Sequence, residues 1–282
     1  MPLIIGTAQF SGMYGVTNKK KKITIKYLNQ VANILKKNKI NYIDTAQSYK
    51  VEKLIGKTKL KNFKFITKVQ ITKKFDEKRT FSFISQSLKD LQINKFYGIL
   101  IHDPENINKK NILKIKNFFF KLKKNSITTK IGISIYEGKH VKNILSIWVP
   151  DIVQLPVNIL NRDLYKSGLI NQLQDLNIEI HARSVFLQGL LLVNKIPPQF
   201  RRWHKIFQKW GNLTKYDKDK KITYCLNIIK NYMRIKNIII GFENINQLKK
   251  IILLFKRKNK LNEKIISFYS KEKKLIDIRS WK

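Results

Sequence analysis

Short apolar runs alternate along the chain with longer stretches in which apolar residues recur at helical spacing. The short runs are rich in isoleucine, valine and phenylalanine, which favours buried β-strands. Stretches such as ITIKYLNQVANILKK and ENINQLKKIILLF have apolar positions three and four apart, which is typical of amphipathic helices. The predicted strands are LIIGT (3–7), INYID (40–44), FKFITKV (63–69), FYGILIH (96–102), KIGIS (130–134), DIVQL (151–155), IEIHA (178–182) and NIIIG (237–241).

The alternation of strand and helix, eight times over, predicts an α/β fold, a single (β/α)8 TIM barrel. Parallel strands joined by right-handed crossovers are buried on both faces, and eight such units close a barrel. A doubly wound open sheet is the alternative, but it usually has a glycine-rich turn after its first strand. Here GTAQFSGMYG follows that strand without G-x-G-x-x-G spacing, and the sequence contains no G-x-x-x-x-G-K-[ST]. We therefore predict one barrel domain over residues 1–282.

Two segments interrupt this alternation. Residues 190–221 contain PPQFRRWHKIFQKWG and are predicted to form a long loop near the active-site mouth, as a lid or wall. The aromatic residues in that segment recur at helical spacing, and we interpret them as packing groups. Residues 257–282 are predicted to form a basic, helical tail.

The charge is the feature of the composition that most affects the functional interpretation. The 282 residues include 58 basic and 18 acidic side chains, a net charge of +40, which is typical of proteins that bind nucleic acids or anionic membranes. Only eight of the bases are arginine, the side chain that recognises phosphates and base edges bidentately. The lysines, including the run Lys19–Lys22, are therefore interpreted as a solvated surface. Weak, salt-sensitive binding to polyanions is expected, but no specific nucleic-acid partner.

Membrane, secretory and metal-binding classes are not favoured. No apolar run approaches the roughly eighteen residues of a membrane span, and strand-like LIIGT begins at residue 3, so a cytoplasmic protein is expected. Cys225 is the only cysteine. Because His140, His181 and His204 lack metal-ligand spacing, no metal site is predicted.

Polar residues fall at the carboxyl ends of successive predicted strands, where (β/α)8 barrels carry their chemistry. Asp44 ends the second strand and His102 ends the fourth. Lys68 stands near the end of the third strand, and Tyr49 lies in the loop after the second. The joint placement of an acid, a base, an imidazole and a phenol predicts a catalytic tetrad.

The tetrad has a direct chemical interpretation. A buried lysine needs a partner, and Asp44 is one strand away from Lys68. The ammonium is expected to lower the pKa of Tyr49 below its usual value of about 10 and so make it a usable acid. If a carbonyl oxygen lies within reach of Tyr49 and His102, a hydride arriving at carbon is balanced by a proton delivered to oxygen.

The same residues belong to an ordered set of motifs that covers nearly the whole chain. The motifs are GTAQF near the start, D-T-A-x-x-Y at 44–49, ITK at 66–68, LIHDP, GIS at 132–134, QLPVN at 154–158 and IIIG at 238–241. In this set the chain resembles the aldo-keto reductases, most closely their bacterial branch related to aryl-alcohol dehydrogenases. The resemblance implies a small-molecule carbonyl substrate, NADP(H) or NAD(H) as cofactor, Tyr49 as proton donor and His102 as the residue that orients the carbonyl. It makes Lys68 and Asp44 the pair that tunes Tyr49.

The resemblance also implies cofactor contacts at several strand ends. Ser134 and Gln154 are expected to hold the nicotinamide carboxamide, with Asn158 close by. Arg183 replaces the tyrosine that would stack on the nicotinamide ring; an arginine plane can also stack, and its charge could contact substrate or pyrophosphate. The remaining expected contacts are Gly6, Thr7, Ser184, Gln188, Gly189, Gly241, Glu243, Asn244 and Gln247.

The segment GFENINQL at 241–248 looks like a phosphate-binding turn that leads into the positive end of a helix. Asn244 with Gln247 three residues later also fits a capping box. Glu243 stands where NADP-preferring relatives often have a base, and a carboxylate there would repel a 2′-phosphate. NAD and NADP therefore both stay open, and the family alone favours NADP.

Three functions are compatible with these features. The leading hypothesis is an NAD(P)-dependent oxidoreductase acting on an aldehyde, a ketone or the corresponding alcohol, which the tetrad favours. A regulatory or accessory barrel that binds the cofactor without turnover is favoured by the loss of the stacking tyrosine. A basic polyanion-binding protein is the third alternative.

Overall fold

Eight β-strands form the centre of the molecule in a computed structural model that describes residues 3–12, 14–16, 23–257 and 261–281. The predicted charge run Lys19–Lys22 lies outside the described residues. The strands are β1 (Leu3–Gly6), β2 (Tyr42–Asp44), β3 (Lys64–Val69), β4 (Phe96–Ile101), β5 (Thr128–Ser134), β6 (Ile152–Pro156), β7 (Glu179–Arg183) and β8 (Asn237–Ile240). Each lies within or overlaps a predicted strand, so all eight strand predictions are confirmed.

The strands close into a parallel barrel in chain order. Each strand pairs with the next, and β1 returns to β8 through the register Leu3↔Ile238. The predicted (β/α)8 barrel is therefore confirmed. Because all strands run in the same direction, their carboxyl ends share one rim, and Gly6, Asp44 and Ile66 are brought into register there.

Helices surround the barrel and connect its strands. The α-helices are α1 (Ile25–Lys37), α2 (Glu52–Gly56), α3 (Glu77–Leu91), α4 (Ile112–Lys124), α5 (Gly138–Leu145), α6 (Asp163–Lys166), α7 (Leu169–Asp175), α8 (His204–Thr214), α9 (Lys218–Asn227), α10 (Ile245–Lys256), α11 (Glu263–Ile266) and α12 (Lys273–Ile276). Short 3₁₀ helices span Ala8–Ser11, Gln47–Tyr49, Lys59–Asn62, Pro104–Asn106, Leu187–Leu192, Pro198–Trp203 and Ile278–Trp281, and a π-helical turn spans Ile228–Tyr232.

Helix α1 illustrates how the local sequence fixes these boundaries. Thr24 precedes the helix, and its hydroxyl oxygen accepts a hydrogen bond from the backbone N–H of Tyr27, which satisfies one donor of the first turn. Four apolar residues at helical spacing then face the barrel: Leu28, Val31, Ala32 and Leu35.

The inside of the barrel is packed with side chains. Five buried residues, one each from β1, β3, β4, β6 and β8, form its interior cluster: Ile4, Ile66, Leu100, Ile152 and Ile239. The alternation predicted for β3 is confirmed, because Lys68 follows Ile66 into the interior and is only 2% exposed. The filled interior leaves the rim as the place where a ligand can enter.

The opposite end of the barrel is covered by a polar and aromatic cluster. The rings of Tyr42 and Tyr97 lie 4.7 Å apart and pack against the interior cluster. Glu179 accepts hydrogen bonds from Tyr97 and Lys130, while His181 shares a hydrogen bond of 2.7 Å with its other oxygen. Burial opposes ionisation of Glu179, but these bonds outweigh it and lower the pKa of its carboxyl to about 2.

Residues 190–221 were predicted as a long loop, and this prediction was wrong in its secondary structure. Most of the segment is helical, in the 3₁₀ helix Pro198–Trp203, helix α8 and the start of α9. Its aromatic side chains are held by residues much later in the chain: Phe200 contacts the ring of Trp281, and Trp210 stacks on Phe268 with ring centroids 5.4 Å apart. The interpretation of these aromatic residues as packing groups is confirmed.

The predicted basic tail is attached to the barrel by one buried arginine. Arg162 is 2% exposed and donates hydrogen bonds to the backbone oxygens of Ile265, Ile266 and Phe268. Three carbonyl groups converging on one guanidinium fix residues 265–268 against the barrel, because a buried cation needs acceptors on its N–H groups.

Candidate active site

A buried ion pair lies at the rim of the barrel between β2 and β3. The Lys68 ammonium donates to Asp44 Oδ1 at 2.6 Å and to the backbone oxygen of Thr45 at 3.0 Å. Both side chains are almost fully buried, with 2% and 4% exposed. Burial lowers the pKa of Lys68, and the adjacent carboxylate acts in the opposite direction. The two residues are therefore coupled, and each needs the other to remain charged out of water.

Tyr49 lies beside this pair. Its ring belongs to the 3₁₀ helix Gln47–Tyr49 that follows β2, and its centroid is 5.5 Å from the Lys68 ammonium. The next helix begins with Glu52, a buried carboxyl that accepts a hydrogen bond from Thr67 on β3. This bond ties the segment carrying Tyr49 to the strand carrying Lys68.

The predicted lowering of the pKa of Tyr49 was wrong. Burial raises the pKa of this phenol, and the negative charge of Asp44 raises it further. The positive charge of Arg183 lowers it, but does not reverse the change. Since Asp44 lies at hydrogen-bonding distance from Lys68, its charge offsets most of the field that the ammonium would exert on a nearby phenolate. Tyr49 consequently keeps its proton throughout the neutral pH range.

His102 follows β4 on the same rim. Burial lowers the pKa of its imidazole to about 4, and the positive charges of Lys68 and Arg183 contribute to the decrease. The ring is therefore neutral at pH 7. Its Nδ1 atom is buried without a hydrogen-bond partner in the part of the chain that the structure describes.

The hydrogen bonds around Asp44 extend across the barrel to β6. Gln154 donates from Nε2 to Asp44 Oδ2 at 2.7 Å, and the Ser134 hydroxyl lies 3.4 Å from Gln154 Oε1. Thr7 donates its hydroxyl to the backbone oxygen of Asp44 at 3.1 Å. Both carboxylate oxygens of Asp44 thus have a partner, one on β3 and one on β6.

A cleft opens above these residues and brings together most of the predicted site. Arg183, the last residue of β7, and Glu243, after β8, lie in its wall. Thr7, Lys68, His102, Ser134, Asn158 and Asn244 do not line it. The predicted residues that do line it are Gly6, Asp44, Tyr49, Gln154, Arg183, Ser184, Gln188, Gly189, Gly241, Glu243 and Gln247.

Asn158 makes its hydrogen bonds in the turn after β6. Its Oδ1 accepts from the backbone N–H groups of Leu160 and Asn161, and its Nδ2 donates to the backbone oxygen of Ser184 at 3.2 Å. It therefore shapes the turn after β6 and anchors the start of the segment after β7.

The segment after β7 has an unusual backbone. Four of its residues have positive φ: Ser184 at 59°, Leu187 at 48°, Gln188 at 53° and Gly189 at 91°. Only the last is a glycine, so the other three adopt a conformation that L-residues seldom use. Strained backbone of this kind clusters at ligand sites, because the surrounding structure must hold it in place.

The turn after β8 leads into helix α10 with a capped first turn. Asn244 Oδ1 accepts from the backbone N–H of Gln247 at 2.9 Å. Gln247 Oε1 accepts in return from the backbone N–H of Glu243 at 2.6 Å, one residue earlier than in the predicted capping box. The predicted cap is present, with this shift.

Gln9 is a wall residue with a buried acceptor atom, Oε1. Its Oε1 is buried and makes no hydrogen bond to any described residue. It lies against the end of β8, where a Cβ on Gly241 would be only 2.3 Å from it. A buried acceptor without a partner costs free energy unless a ligand donates to it, and a dinucleotide carries amide and hydroxyl donors. With the glycines and the helix α10 terminus, the residues present fit a nicotinamide dinucleotide.

Several of these residues were not identified as site residues from the sequence. Gln9 lies within the quoted motif GTAQF, and Glu52 stands three residues after D-T-A-x-x-Y; these motifs are the signal that could have pointed to them. Tyr14 lines the cleft near Tyr49. Tyr136 lies after β5 and stacks on Arg183, a contact that no sequence motif indicates.

The described ranges contain neither a metal-binding cluster nor a membrane-spanning helix. No group of three or more His, Cys, Asp or Glu side chains there is arranged to hold a metal ion. Every helix in the same ranges falls short of the length and apolarity that crossing a bilayer requires.

Comparison with known proteins identifies the same family as the sequence motifs. The model of the aldo/keto reductase family matches residues 2–267. No protein with a curated description matches the chain significantly.

Among solved structures, the chain is similar to an aldo-keto reductase from Bacillus halodurans in its holo form, with a TM-score of 0.73 and 16% identity over 94% of this chain and 90% of that one. It is also similar to the glycerol dehydrogenase of Gluconobacter oxydans, with a TM-score of 0.73 and 17% identity over 94% and 89% of the two chains. At these identities the similarity concerns the fold. The family assignment comes from the match over residues 2–267: the chain belongs to the aldo/keto reductase family and is an oxidoreductase that uses NADP(H) or NAD(H).

Proposed function

We propose that this protein reduces an aldehyde or ketone to the alcohol, or catalyses the reverse reaction, with Tyr49 as the proton donor. The observation that carries the proposal is the buried Lys68–Asp44 ion pair with the Tyr49 ring 5.5 Å from its ammonium. A lysine at this depth is costly to bury, so its retention beside a phenol at the rim of a (β/α)8 barrel supports a role in chemistry.

The raised pKa of Tyr49 suits a proton donor. An acid must hold its proton until the transition state, and Tyr49 holds it at all pH values where the protein would work. When a substrate oxygen gains negative charge, the phenol protonates it, and the positive charge of Arg183 partly stabilises the resulting phenolate. The reverse reaction would need Tyr49 as a base, a role that the raised pKa of its phenol does not favour near neutral pH.

His102 has a separate role in this proposal. Its neutral imidazole can donate one N–H to the carbonyl oxygen, which orients the carbonyl and polarises it. Because the ring is neutral, it does not compete with Tyr49 as the proton source.

The cofactor supplies the hydride when it is bound. The residues that would hold it are Gln9, through its unpaired acceptor, and the strained segment after β7 with the turn after β8. In that turn Glu243 would accept hydrogen bonds from a ribose diol and repel a 2′-phosphate, which favours NAD. The residues expected to contribute are Gly6, Thr7, Ser134, Gln154, Asn158, Arg183, Ser184, Gln188, Gly189, Gly241, Glu243, Asn244 and Gln247.

The test is a titration of the purified protein with NADPH and with NADH, followed by nicotinamide fluorescence, and then an assay of aromatic and sugar aldehydes. We expect saturable binding of at least one cofactor and aldehyde-dependent oxidation of that cofactor. Absence of binding for both cofactors would contradict the proposal.

A cofactor-binding barrel without turnover is the second candidate. It is supported by Arg183, which occupies the position of the stacking tyrosine and itself stacks on Tyr136 with the guanidinium 4.1 Å from the ring centroid. The same titration separates the two functions, because this candidate requires cofactor binding with no oxidation by any aldehyde tested.

A further inference from the structure

Arg183 is held in the cleft wall by contacts that leave most of its donors unused. Its Nη2 donates to the backbone oxygen of Ile135 at 2.9 Å, and its Nη1 lies 3.4 Å from the Ser184 hydroxyl. One face of the guanidinium lies on the ring of Tyr136. A guanidinium has five N–H donors, so these contacts leave three for another partner.

The charge of Arg183 is also unpaired. No carboxylate forms an ion pair with it anywhere in the described ranges. A second guanidinium, that of Arg279, contacts the same Tyr136 ring at 4.3 Å, and this one is paired with Asp277 at 2.6 Å and Glu137 at 3.3 Å. Of the two arginines on the Tyr136 ring, Arg279 is therefore neutralised by carboxylates, whereas Arg183, which faces the cleft, is in no such ion pair among the described residues.

The position of Arg183 brings its charge close to the reacting groups. It shares the cleft wall with Tyr49 and Asp44, and its charge lowers the pKa of Tyr49 and of His102. The other cation near the rim, Lys68, is already bound to Asp44. An anion entering this cleft would therefore find its uncompensated positive charge at Arg183, in the fork geometry that suits a carboxylate or phosphate.

We propose that Arg183 binds an anionic substituent of the substrate, so that the enzyme prefers aldehydes or ketones that carry a carboxylate or a phosphate. This inference rests on the proposed function, because it assigns a substrate class to the same cleft. Arg183 is then a specificity-determining residue. Its contacts with the backbone and with the Tyr136 ring fix the guanidinium in place before the substrate arrives, which reduces the entropic cost of ordering this side chain on binding.

The test compares ligands that differ in charge and little else. Calorimetry would measure binding of 4-formylbenzoate and of its methyl ester to the protein saturated with oxidised cofactor, a state in which the aldehyde cannot be reduced. Glyceraldehyde 3-phosphate and glyceraldehyde form the matching pair for a phosphate. The proteins are the wild type, Arg183→Gln, Arg183→Lys and, as a control that removes one surface arginine from helix α3, Arg79→Gln.

We expect the wild type and Arg79→Gln to bind at least one anion more tightly than its neutral counterpart, by roughly ten- to a hundred-fold, the range for hydrogen bonds to charged groups. In Arg183→Gln this preference should disappear while binding of the neutral compound changes little. Arg183→Lys should keep part of the preference for the anion, because lysine retains the positive charge but lacks the bidentate geometry of the guanidinium. The ligand pair that shows the preference identifies whether the site binds a carboxylate or a phosphate.

Three results would overturn the assignment. One is a wild type without preference for either anion, and another is a preference that survives in Arg183→Gln. The third is a variant that loses cofactor affinity and leaves the preference unchanged, which would mean that Arg183 holds the cofactor pyrophosphate. Turnover with reduced cofactor is measured separately: a preference without turnover would refute the proposed reaction and leave the anion site standing. Thermal unfolding of each variant checks that it is folded.

Discussion

At the scale of single residues, burial and adjacent charges determine how firmly Tyr49 and His102 hold a proton. Asp44, Lys68, Tyr49 and His102 stand at successive strand ends, and the barrel brings them to one rim as expected. The pKa of Tyr49 was predicted in the wrong direction, because it depends on burial of the phenol and on the cancellation of two adjacent charges. Arg183 could be identified from the sequence, but its stacking on Tyr136 required the structure.

Removing one partner of the buried ion pair should cause a loss of stability that can be measured. Replacing Lys68 by methionine leaves the Asp44 carboxylate buried without its cation, which is expected to cost about 3–5 kcal/mol of unfolding free energy. Guanidinium unfolding would measure this loss. Lys64→Met is the matched control on the same strand, at its exposed end, and should change stability by no more than about 0.5 kcal/mol.

A double variant tests the reason for that loss. Adding Asp44→Asn to Lys68→Met removes the buried charge, so part of the lost stability should return. Equal losses in the Lys68→Met and Lys64→Met proteins would show that the pair is not coupled as described.

His102 should remain neutral well below the usual histidine pKa. Its folded pKa of about 4 lies below the unfolded value of about 6.5, so its contribution to stability is complete above pH 6.5 and is lost as the pH falls towards 4. NMR titration of the imidazole protons, assigned by comparison with His102→Gln, would follow this change. A midpoint between 6 and 7 would contradict the neutral ring on which the proposed role of His102 depends.

At the scale of elements, the eight strands were predictable because each is a short apolar run buried on both faces, as with Ile238–Ile240 in β8. The helical structure of residues 190–221 was not predicted, although Phe200, Trp203, Phe207 and Trp210 showed helical spacing. Short helices of this kind depend on packing, and the packing here comes from Phe268 and Trp281, some sixty to eighty residues later in the chain. A sequence pattern does not show such distant partners.

The attachment of the tail through Arg162 gives a prediction at this scale. Arg162→Met should release residues 261–281 locally, because three backbone oxygens lose their buried donor. Limited trypsin digestion followed by mass spectrometry should then show early cleavage after Lys264, Lys271 or Lys273. Arg79→Met, which removes an arginine from the surface of helix α3, should be digested like the wild type. Equal digestion of the two variants would mean that Arg162 does not hold the tail.

At the scale of the whole molecule, the net charge of +40 surrounds a barrel whose site takes a small molecule. Such a field attracts anions over several ångströms and should raise the rate at which an anionic substrate reaches the cleft. The same field predicts weak binding to nucleic acid without a dedicated site. Duplex DNA should be retarded at low salt and released by about 0.3 M salt, as counterion release requires. Retardation that persists at several hundred millimolar salt would favour a true polyanion-binding function.

The central claim is that Tyr49 delivers the proton beside the Lys68–Asp44 pair. The most direct measurement is the single-turnover rate of aldehyde reduction, with saturating reduced cofactor, in the wild type, Tyr49→Phe and Tyr42→Phe, the last being the same change at the opposite end of the barrel. We predict that Tyr49→Phe slows the reaction by roughly a hundred- to ten-thousand-fold with cofactor affinity nearly unchanged, and that Tyr42→Phe reacts like the wild type. Equal rates in Tyr49→Phe and the wild type would contradict the account.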